Sequence, residues 1–133
     1  MFRSIIAFLL VVVLYTIMAP FTAQATIHHV SMSGFSFTPS SVAVNYGDTV
    51  RWTLVDGIHN TISYPASAKS WNSGTMSTSG QTFQIIIVLG DGPGPFPYRC
   101  TFHEGFGMTG TITVTPPDTD GDGVTDANDN CPT

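Results

Sequence analysis

The sequence predicts an all-β fold, a Greek-key sandwich or small barrel of about eight antiparallel strands. Between residues 26 and 115, short runs rich in β-branched and aromatic residues are separated by turn residues at intervals of about ten residues. Within several runs apolar and polar residues alternate, as in a strand with one buried face. No window has a sustained apolar period of 3.6 residues, so long helices are not expected.

The individual strands follow from this alternation and from the breaks between runs. Alternation is clear in residues 42–44, 50–54 and 109–115, where Ile112 and Val114 share one face. Breaks fall, in order, at Pro39, Gly47-Asp48, Asp56-Gly57, the polar residues 67–80 and the Gly/Pro run 90–97. Strands are therefore expected near residues 27–33, 35–38, 42–45, 49–55, 60–64, 82–89, 98–101 and 109–115.

The charge composition excludes two classes of protein. The 133 residues include 4 Lys and Arg against 9 Asp and Glu. No basic patch is available to release counterions from phosphates, so a nucleic-acid partner is not expected. Two cysteines are too few for a disulfide-rich scaffold. Five of the nine acids lie in the last sixteen residues, which leaves residues 26–115 nearly neutral.

The first 25 residues have the order of a secretory signal peptide. Arg3 is followed by an apolar run from Ile5 to Ala19 and by the small-residue ending Ala23-Gln24-Ala25, which predicts cleavage after Ala25. The alternative is a membrane anchor, but the run of about fifteen residues is shorter than the ~20 that span a bilayer. We therefore expect a periplasmic or extracellular protein that has no stable membrane insertion after cleavage.

Four residues could together bind a metal ion. Cys100, His103 and Met108 have the spacing Cys-x2-His-x4-Met, and His59 lies about forty residues upstream. A thiolate, two imidazoles and a thioether are the ligands of a blue-copper centre, in which the Met is a weak axial ligand. Taken singly, His59 could be structural, Met108 could fill the core and Cys100 could pair with Cys131 in a disulfide. These alternatives do not predict the joint pattern.

The central segment resembles the cupredoxins of the plastocyanin/pseudoazurin kind over about ninety residues, 26–115. The resemblance is carried by residues 35–39 (FSFTP), 42–52 (VAVNYGDTVRW), 59–62 (HNTI) and 96–100 (FPYRC), together with the Cys-x2-His-x4-Met spacing. It implies copper bound by His59, Cys100, His103 and Met108. It also implies that Asn60 pins the two ligand loops together near the thiolate.

The same resemblance implies a function, electron transfer between redox proteins. In the family the His between Cys and Met presents its edge to the surface, which here is His103. We expect apolar residues to surround that edge and a redox partner to dock there briefly; the candidates are Ile58, Pro95, Phe102 and Phe106. The domain has no acidic run of the kind that photosynthetic plastocyanins use for docking.

The tail, residues 116–133, opens with Pro116-Pro117 and contains a candidate calcium loop. The residues expected to bind Ca²⁺ are Asp118, Asp120, Asp122, Val124, Asp126 and Asp129. Val124 would bind through its backbone carbonyl, and the five aspartates through their side chains. The usual Glu at the last position is absent, and Asp-Asn-Cys-Pro follows, so the tail resembles a thrombospondin type 3 repeat; a dockerin-like loop is a weaker match. The alternative is an acidic tail that only solvates the protein.

Three functions follow from these features. The leading one is a secreted or periplasmic blue-copper electron carrier. The alternative is a non-redox, calcium-dependent interaction or adhesion module with an accessory copper-binding sandwich. A copper oxidase or nitrite reductase would need further His-rich copper sites, and only His28 and His29 remain, so we do not expect an enzyme.

Overall fold

The structure, a computed structural model, describes residues 24–118 and Thr125. Two short 3₁₀ turns, Leu89–Asp91 and Glu104–Phe106, interrupt an otherwise all-β chain. The strands are β1 (Ile27–Ser33), β2 (Ser36–Thr38), β3 (Ser41–Val44), β4 (Thr49–Leu54), β5 (Ile62–Ser63), β6 (Thr82–Ile86), β7 (Phe96–Arg99) and β8 (Thr109–Val114). The predicted all-β fold of about eight strands is confirmed. Within the described residues no helix is long and apolar enough to cross a membrane.

The strands form two four-stranded sheets, with the orders β2-β1-β4-β6 and β3-β8-β7-β5. Both sheets are mixed, because β1 runs parallel to β4 and β3 runs parallel to β8, while the other pairs are antiparallel. The expectation of purely antiparallel strands was wrong in these two pairs. Alternation in a sequence shows which face of a strand is buried, but it carries no information about the direction of the neighbouring strand.

The largest difference in strand boundaries concerns β7. The sequence predicts this strand near residues 98–101, whereas it spans Phe96–Arg99 and so takes in Pro97 from the Gly/Pro run. Pro97 lies opposite Thr111 of β8. Phe96 and Tyr98 point inward and are fully buried. Their burial against the second sheet outweighs the turn preference of the residues before them.

The core lies between the two sheets and is dominated by aromatic side chains. Trp52 of β4 contacts Tyr98 of β7 edge-to-face, with ring centroids 5.3 Å apart, and Trp71 packs against both rings. Burial raises the pKa of Tyr98 to about 12. The core continues without a break into the residues proposed as ligands, because His59, Cys100 and Met108 are all fully buried.

One close approach between strands requires a glycine. Gly110 of β8 lies opposite Tyr98 of β7, and a Cβ at this position would overlap the Tyr98 ring. Since Tyr98 is enclosed by Phe37 and Trp52, the ring cannot move aside without disturbing its aromatic neighbours. Strands β7 and β8 flank the segment that carries Cys100, His103 and Met108, so their separation also fixes the ends of that segment.

We expect Gly110→Ala to lower the free energy of unfolding by about 1–3 kcal/mol or more, as is usual for an overpacked core. Thermal or denaturant unfolding of the two proteins measures the difference. The matched control is Gly90→Ala, because a Cβ at Gly90 meets no atom within 4 Å. Equal stability of the two variants would contradict the close approach of β7 and β8.

Candidate metal centre

Cys100 directly follows β7 and continues its alternation, so that its side chain points into the core. Its side chain is fully buried and its thiol is free. The Cys100 N–H donates to the carbonyl of Met108 at 3.0 Å. This bond extends the β7–β8 ladder by one step and fixes both ends of the intervening segment.

The segment between Cys100 and Met108 is a tight turn. The His103 N–H donates to the Cys100 carbonyl at 3.2 Å, and the Met108 N–H donates to the His103 carbonyl at 3.2 Å. Residues Glu104–Phe106 form a 3₁₀ turn that ends at Gly107 in the left-handed conformation, with φ of 86°. The turn therefore brings Met108 back beside Cys100 and leaves His103 partly exposed.

His59 reaches the same place from the connection between β4 and β5. Its backbone forms an isolated bridge with Met76, in which each N–H donates to the other's carbonyl at 3.0 and 2.8 Å. Met76 is buried in the core. Sequence reasoning did not single out Met76, because it lies in the polar residues 67–80 that are predicted to be a break.

The side chains of His59, Cys100 and His103 converge with their donor atoms facing one another. The two Nδ1 atoms are 3.1 Å apart, and each is 3.7 Å from the Cys100 Sγ. A point equidistant from the three atoms is therefore about 2.0 Å from each, close to the ~2.0–2.3 Å of imidazole and thiolate bonds to a first-row metal. Within the described residues this is the one cluster of three or more His, Cys, Asp or Glu that could hold a metal ion.

The electrostatics of the cluster suit a metal ligand. Burial lowers the pKa of His59, and the nearby His103 lowers it further. The imidazole of His59 is therefore neutral at neutral pH, with a lone pair available to bind a metal ion. A ligand must lose its proton before it binds a metal ion, and a lowered pKa makes that loss easier for His59.

The side chain of Asn60 joins the two segments that carry these residues. Its Oδ1 accepts a hydrogen bond from the Thr101 N–H at 2.8 Å, and its Nδ2 donates to the Thr101 Oγ1 at 2.8 Å. Asn60 follows His59 and Thr101 follows Cys100, so the pair sets the distance between the two donor residues. Asn60 is buried, which protects both bonds from competition by water.

Apolar side chains form the rim around His103, and one of them was not foreseen. Ile58, Phe102 and Phe106 are exposed, as expected. Phe35 stacks on Phe106 with centroids 4.8 Å apart and meets the His103 ring edge-on at 5.0 Å. An open depression of about 550 Å³ adjoins this rim and is lined by Gly34, Phe35, Asp56, Gly57, Ile58, His59, Phe102 and His103. The expectation that Pro95 also lies beside His103 stays a prediction.

A polar cluster of Tyr64, Arg99 and Glu104 anchors the turn between Cys100 and Met108. Glu104 accepts from Arg99 at 2.7 Å through one carboxylate oxygen and from the Tyr64 hydroxyl at 2.7 Å through the other. Arg99 also lies over the Tyr64 ring, 4.8 Å from its centroid. The bonds from Arg99 and Tyr64 lower the pKa of Glu104, and the Glu104 carboxylate raises the pKa of Tyr64. These contacts join residues far apart in sequence, so sequence reasoning did not find them.

The predicted calcium loop lies almost entirely outside the described residues. Asp118 is described, whereas the other expected ligands, Asp120, Asp122, Val124, Asp126 and Asp129, are not. The predicted signal peptide is also outside them, apart from its last two residues, Gln24 and Ala25. The described residues therefore decide neither prediction.

Two known proteins that resemble the chain are a halocyanin and a plastocyanin. Halocyanin from Natronomonas pharaonis is 36% identical over 84 residues, which cover 62% of this chain and 50% of halocyanin. The solved structure of oxidised plastocyanin from Dryopteris crassirhizoma has a TM-score of 0.56 and 28% identity, and the match covers 66% of this chain and 100% of that one. The chain thus spans about half the length of halocyanin and the whole of this plastocyanin.

A third similarity is to an enzyme, and it concerns the fold alone. The copper-containing nitrite reductase from Thermus scotoductus SA-01 has a TM-score of 0.58 and 24% identity, over 71% of this chain but only 23% of the reductase. At the level of sequence, residues 24–115 match the copper binding proteins of the plastocyanin/azurin family. That match includes all eight strands and the converging His59, Cys100 and His103. The chain therefore belongs to the plastocyanin/azurin family of copper-binding proteins, the cupredoxins.

Proposed function

We propose that this protein is a type 1, or blue, copper protein that carries single electrons between redox partners. The Nδ1 atoms of His59 and His103 and the thiolate of Cys100 would hold the copper, and the thioether of Met108 would be the weak fourth ligand. The observation that carries the proposal is the triangle of donor atoms, with sides of 3.1, 3.7 and 3.7 Å. Two imidazoles and one thiolate in a plane are the donor set of blue copper and of few other metal sites.

The protein's own residues keep this triangle fixed while the charge of the site changes. When bound, copper would supply the one-electron chemistry through its Cu(I) and Cu(II) states. Asn60 holds the two ligand segments together, and the Met108 carbonyl holds the Cys100 backbone. A site that is held rigid by its surroundings has little to rearrange when an electron arrives or leaves, which favours fast transfer.

Burial and backbone position support Met108 as the axial ligand. Its side chain is fully buried, and its backbone bonds to both Cys100 and His103. Thr109 and Gly110 begin β8 immediately afterwards, so Met108 has little freedom to move away from the cluster. A soft thioether beside the plane of the three donors would complete the blue-copper ligand set.

We propose that redox partners dock on the rim around His103. His103 is the ligand that is partly exposed, and the side chains around it are apolar; Phe106 is 71% exposed and Ile58 is 51% exposed. An exposed apolar rim suits brief contact, because few ion pairs have to be broken when the partner leaves. We propose a protein partner here and not nucleic acid, in keeping with the lack of a basic patch.

We propose electron carriage and not enzymatic catalysis. The two remaining histidines are poor candidates for a second copper site, because the Nε2 of His28 is bonded to Asp48 at 2.8 Å and His29 lies on the exposed face of β1. We further propose that cleavage after Ala25 releases the protein into the periplasm or the extracellular space. This proposal rests on the order of residues in the first 25 positions.

We propose, as a separate property, that residues 118–129 bind Ca²⁺. Five carboxylates within twelve residues repel one another unless a cation lies among them. This feature also supports the alternative function, a calcium-dependent interaction module with an accessory copper site. The two functions differ in whether the copper site exchanges electrons or only stabilises the domain.

The copper assignment predicts that the mature protein loaded with Cu(II) shows an intense blue thiolate-to-copper band and a narrow copper hyperfine splitting in EPR. Cys100→Ser should abolish the band and leave the metal-free fold intact, because the thiolate gives the colour. Cys131→Ser is the matched control and should keep it. A colourless protein with a Cys100–Cys131 disulfide would overturn the proposal.

The axial assignment predicts that Met108→Gln keeps copper but has a lower reduction potential, since a harder oxygen ligand stabilises Cu(II). Voltammetry of the loaded variant measures the potential. Met32→Leu changes a buried methionine of β1 at nearly constant volume and should leave the potential unchanged. An unchanged or raised potential in Met108→Gln would count against Met108 as a ligand.

The role of Asn60 predicts that Asn60→Ala loses about 1–3 kcal/mol of folding free energy and shifts the reduction potential, because both bonds to Thr101 disappear. Denaturant unfolding and voltammetry give the two values. Asn72→Ala is the control. The Asn72 side chain accepts a hydrogen bond from the Gly74 N–H in an exposed turn, so its loss should change neither the stability nor the reduction potential. Similar effects of the two substitutions would show that Asn60 has no special role in holding the site.

The calcium assignment predicts that the mature chain releases or takes up heat when it is titrated with Ca²⁺, and that a version ending at Thr115 does not. With the ion bound, the carboxylates can enclose it at the usual ~2.3–2.6 Å. Affinity should be weak, because a single repeat has no neighbour to preorganise it. The same heat from both versions, or none from either at millimolar calcium, would identify the tail as an acidic linker.

A further inference from the structure

Asp48 is a buried acidic residue immediately before β4, at the end of the sheet where β1 begins. Its side chain is only 4% exposed. One carboxylate oxygen accepts from the Thr26 N–H at 2.8 Å, and the other accepts from the Asn45 N–H at 2.9 Å and contacts the His28 Nε2 at 2.8 Å. Asp48 therefore ties the beginning of the folded domain to the turn that precedes β4.

This carboxylate is charged, and hydrogen bonds stabilise it more than full positive charges do. Burial alone would raise the pKa of Asp48, yet the bonds from Asn45, Thr26 and His28 lower it overall. Among the described residues the only side chain that forms an ion pair with it is His28. A buried carboxylate is costly unless a full positive charge lies close to it. Two of its three partners are neutral amides.

One of those amides lies at the predicted cleavage site. The ending Ala23-Gln24-Ala25 predicts hydrolysis of the Ala25–Thr26 bond. Gln24 and Ala25 are exposed, and Thr26 joins the sheet, because its carbonyl accepts from the Thr49 N–H at 2.8 Å. The nitrogen that hydrolysis would free is thus the same atom that already donates to Asp48.

We propose that removal of the leader creates an ion pair between the new α-ammonium group of Thr26 and the buried carboxylate of Asp48. A leader peptidase adds the hydroxyl of water to the Ala25 carbonyl carbon and its hydrogen to the Thr26 nitrogen as the C–N bond breaks. The proton lost by the new Ala25 carboxyl group balances the one that the Thr26 amine takes up. A neutral donor to Asp48 thereby becomes a charged one.

The consequence is that processing stabilises the folded domain. Before cleavage, or in a chain anchored by an intact leader, the Thr26 nitrogen is an amide with no charge. Before cleavage only the acceptor of this bond is charged, whereas after cleavage donor and acceptor both are, so an ion pair joins β1 to the turn before β4. This inference depends on neither copper nor electron transfer, because the residues hydrogen-bonded to Asp48 among those described, Thr26, His28 and Asn45, are not proposed copper ligands.

Three chains that all end at Thr133 test the proposal. The first begins at Thr26 with a free amine, the second begins at Thr26 with an acetylated amine, and the third begins at Gln24 with a free amine. Thermal unfolding of all three is measured in the same metal state, and each is repeated with Asp48→Asn. A pH titration of the Thr26 α-amine by NMR in the first chain gives an independent reading that needs no variant.

We expect the first chain to unfold about 4–8 °C above the other two, the shift that one such bond gives in a domain of about 100 residues. We expect the difference to vanish with Asp48→Asn, and the α-amine to titrate above its ordinary ~7.7–8.0. Equal midpoints, a difference that survives Asp48→Asn, or an α-amine that titrates normally would overturn the proposal. An intact mass showing that the exported protein begins at a residue other than Thr26 would also overturn it. If Asp48→Asn does not fold, the acetylated chain and the titration still decide.

Discussion

The arrangement at the metal centre depends on one pair of hydrogen bonds, those between the Asn60 side chain and Thr101. These residues are 41 positions apart, and each directly follows a residue of the donor cluster. The other hydrogen bonds of the turn from Cys100 to Met108 are backbone bonds within it or hold Glu104 to Arg99 and Tyr64. The Asn60 pair is what joins the turn to the segment carrying His59. It makes one site out of two parts of the chain.

The centre is also continuous with the hydrophobic core. His59, Cys100 and Met108 are as deeply buried as Trp52 and Tyr98, and Cys100 and Met108 belong to the same buried cluster as these rings. The interior is close-packed, so a change in volume among the aromatic residues is transmitted to the backbone that carries the donors. The same packing that stabilises the sandwich therefore holds the donor triangle in shape.

The two ends of the sandwich differ in their chemistry. At the end near His103 the exposed side chains are apolar, with Phe35 and Phe106 stacked across the rim. Where β1 begins, the buried carboxylate of Asp48 forms hydrogen bonds to three residues of two segments. One end is suited to contact with other molecules and the other to closing the fold. A surface for brief docking can therefore change without weakening the anchor of the first strand.

The sequence by itself determined the strands, because burial of one face imposes an alternation that is visible locally. It also determined the turn from Cys100 to Met108, since its donor residues are only a few positions apart and Gly107 permits the required conformation. The pattern of candidate ligands included His59, and the resemblance to cupredoxins added the role of Asn60. Tertiary structure alone decided the parallel pairing of β1 with β4 and of β3 with β8. It also decided the bridge from Met76 to His59, the stacking of Phe35 and the contacts of Glu104. These features join distant segments, and their formation depends on how the two sheets pack, which no local pattern of residues records.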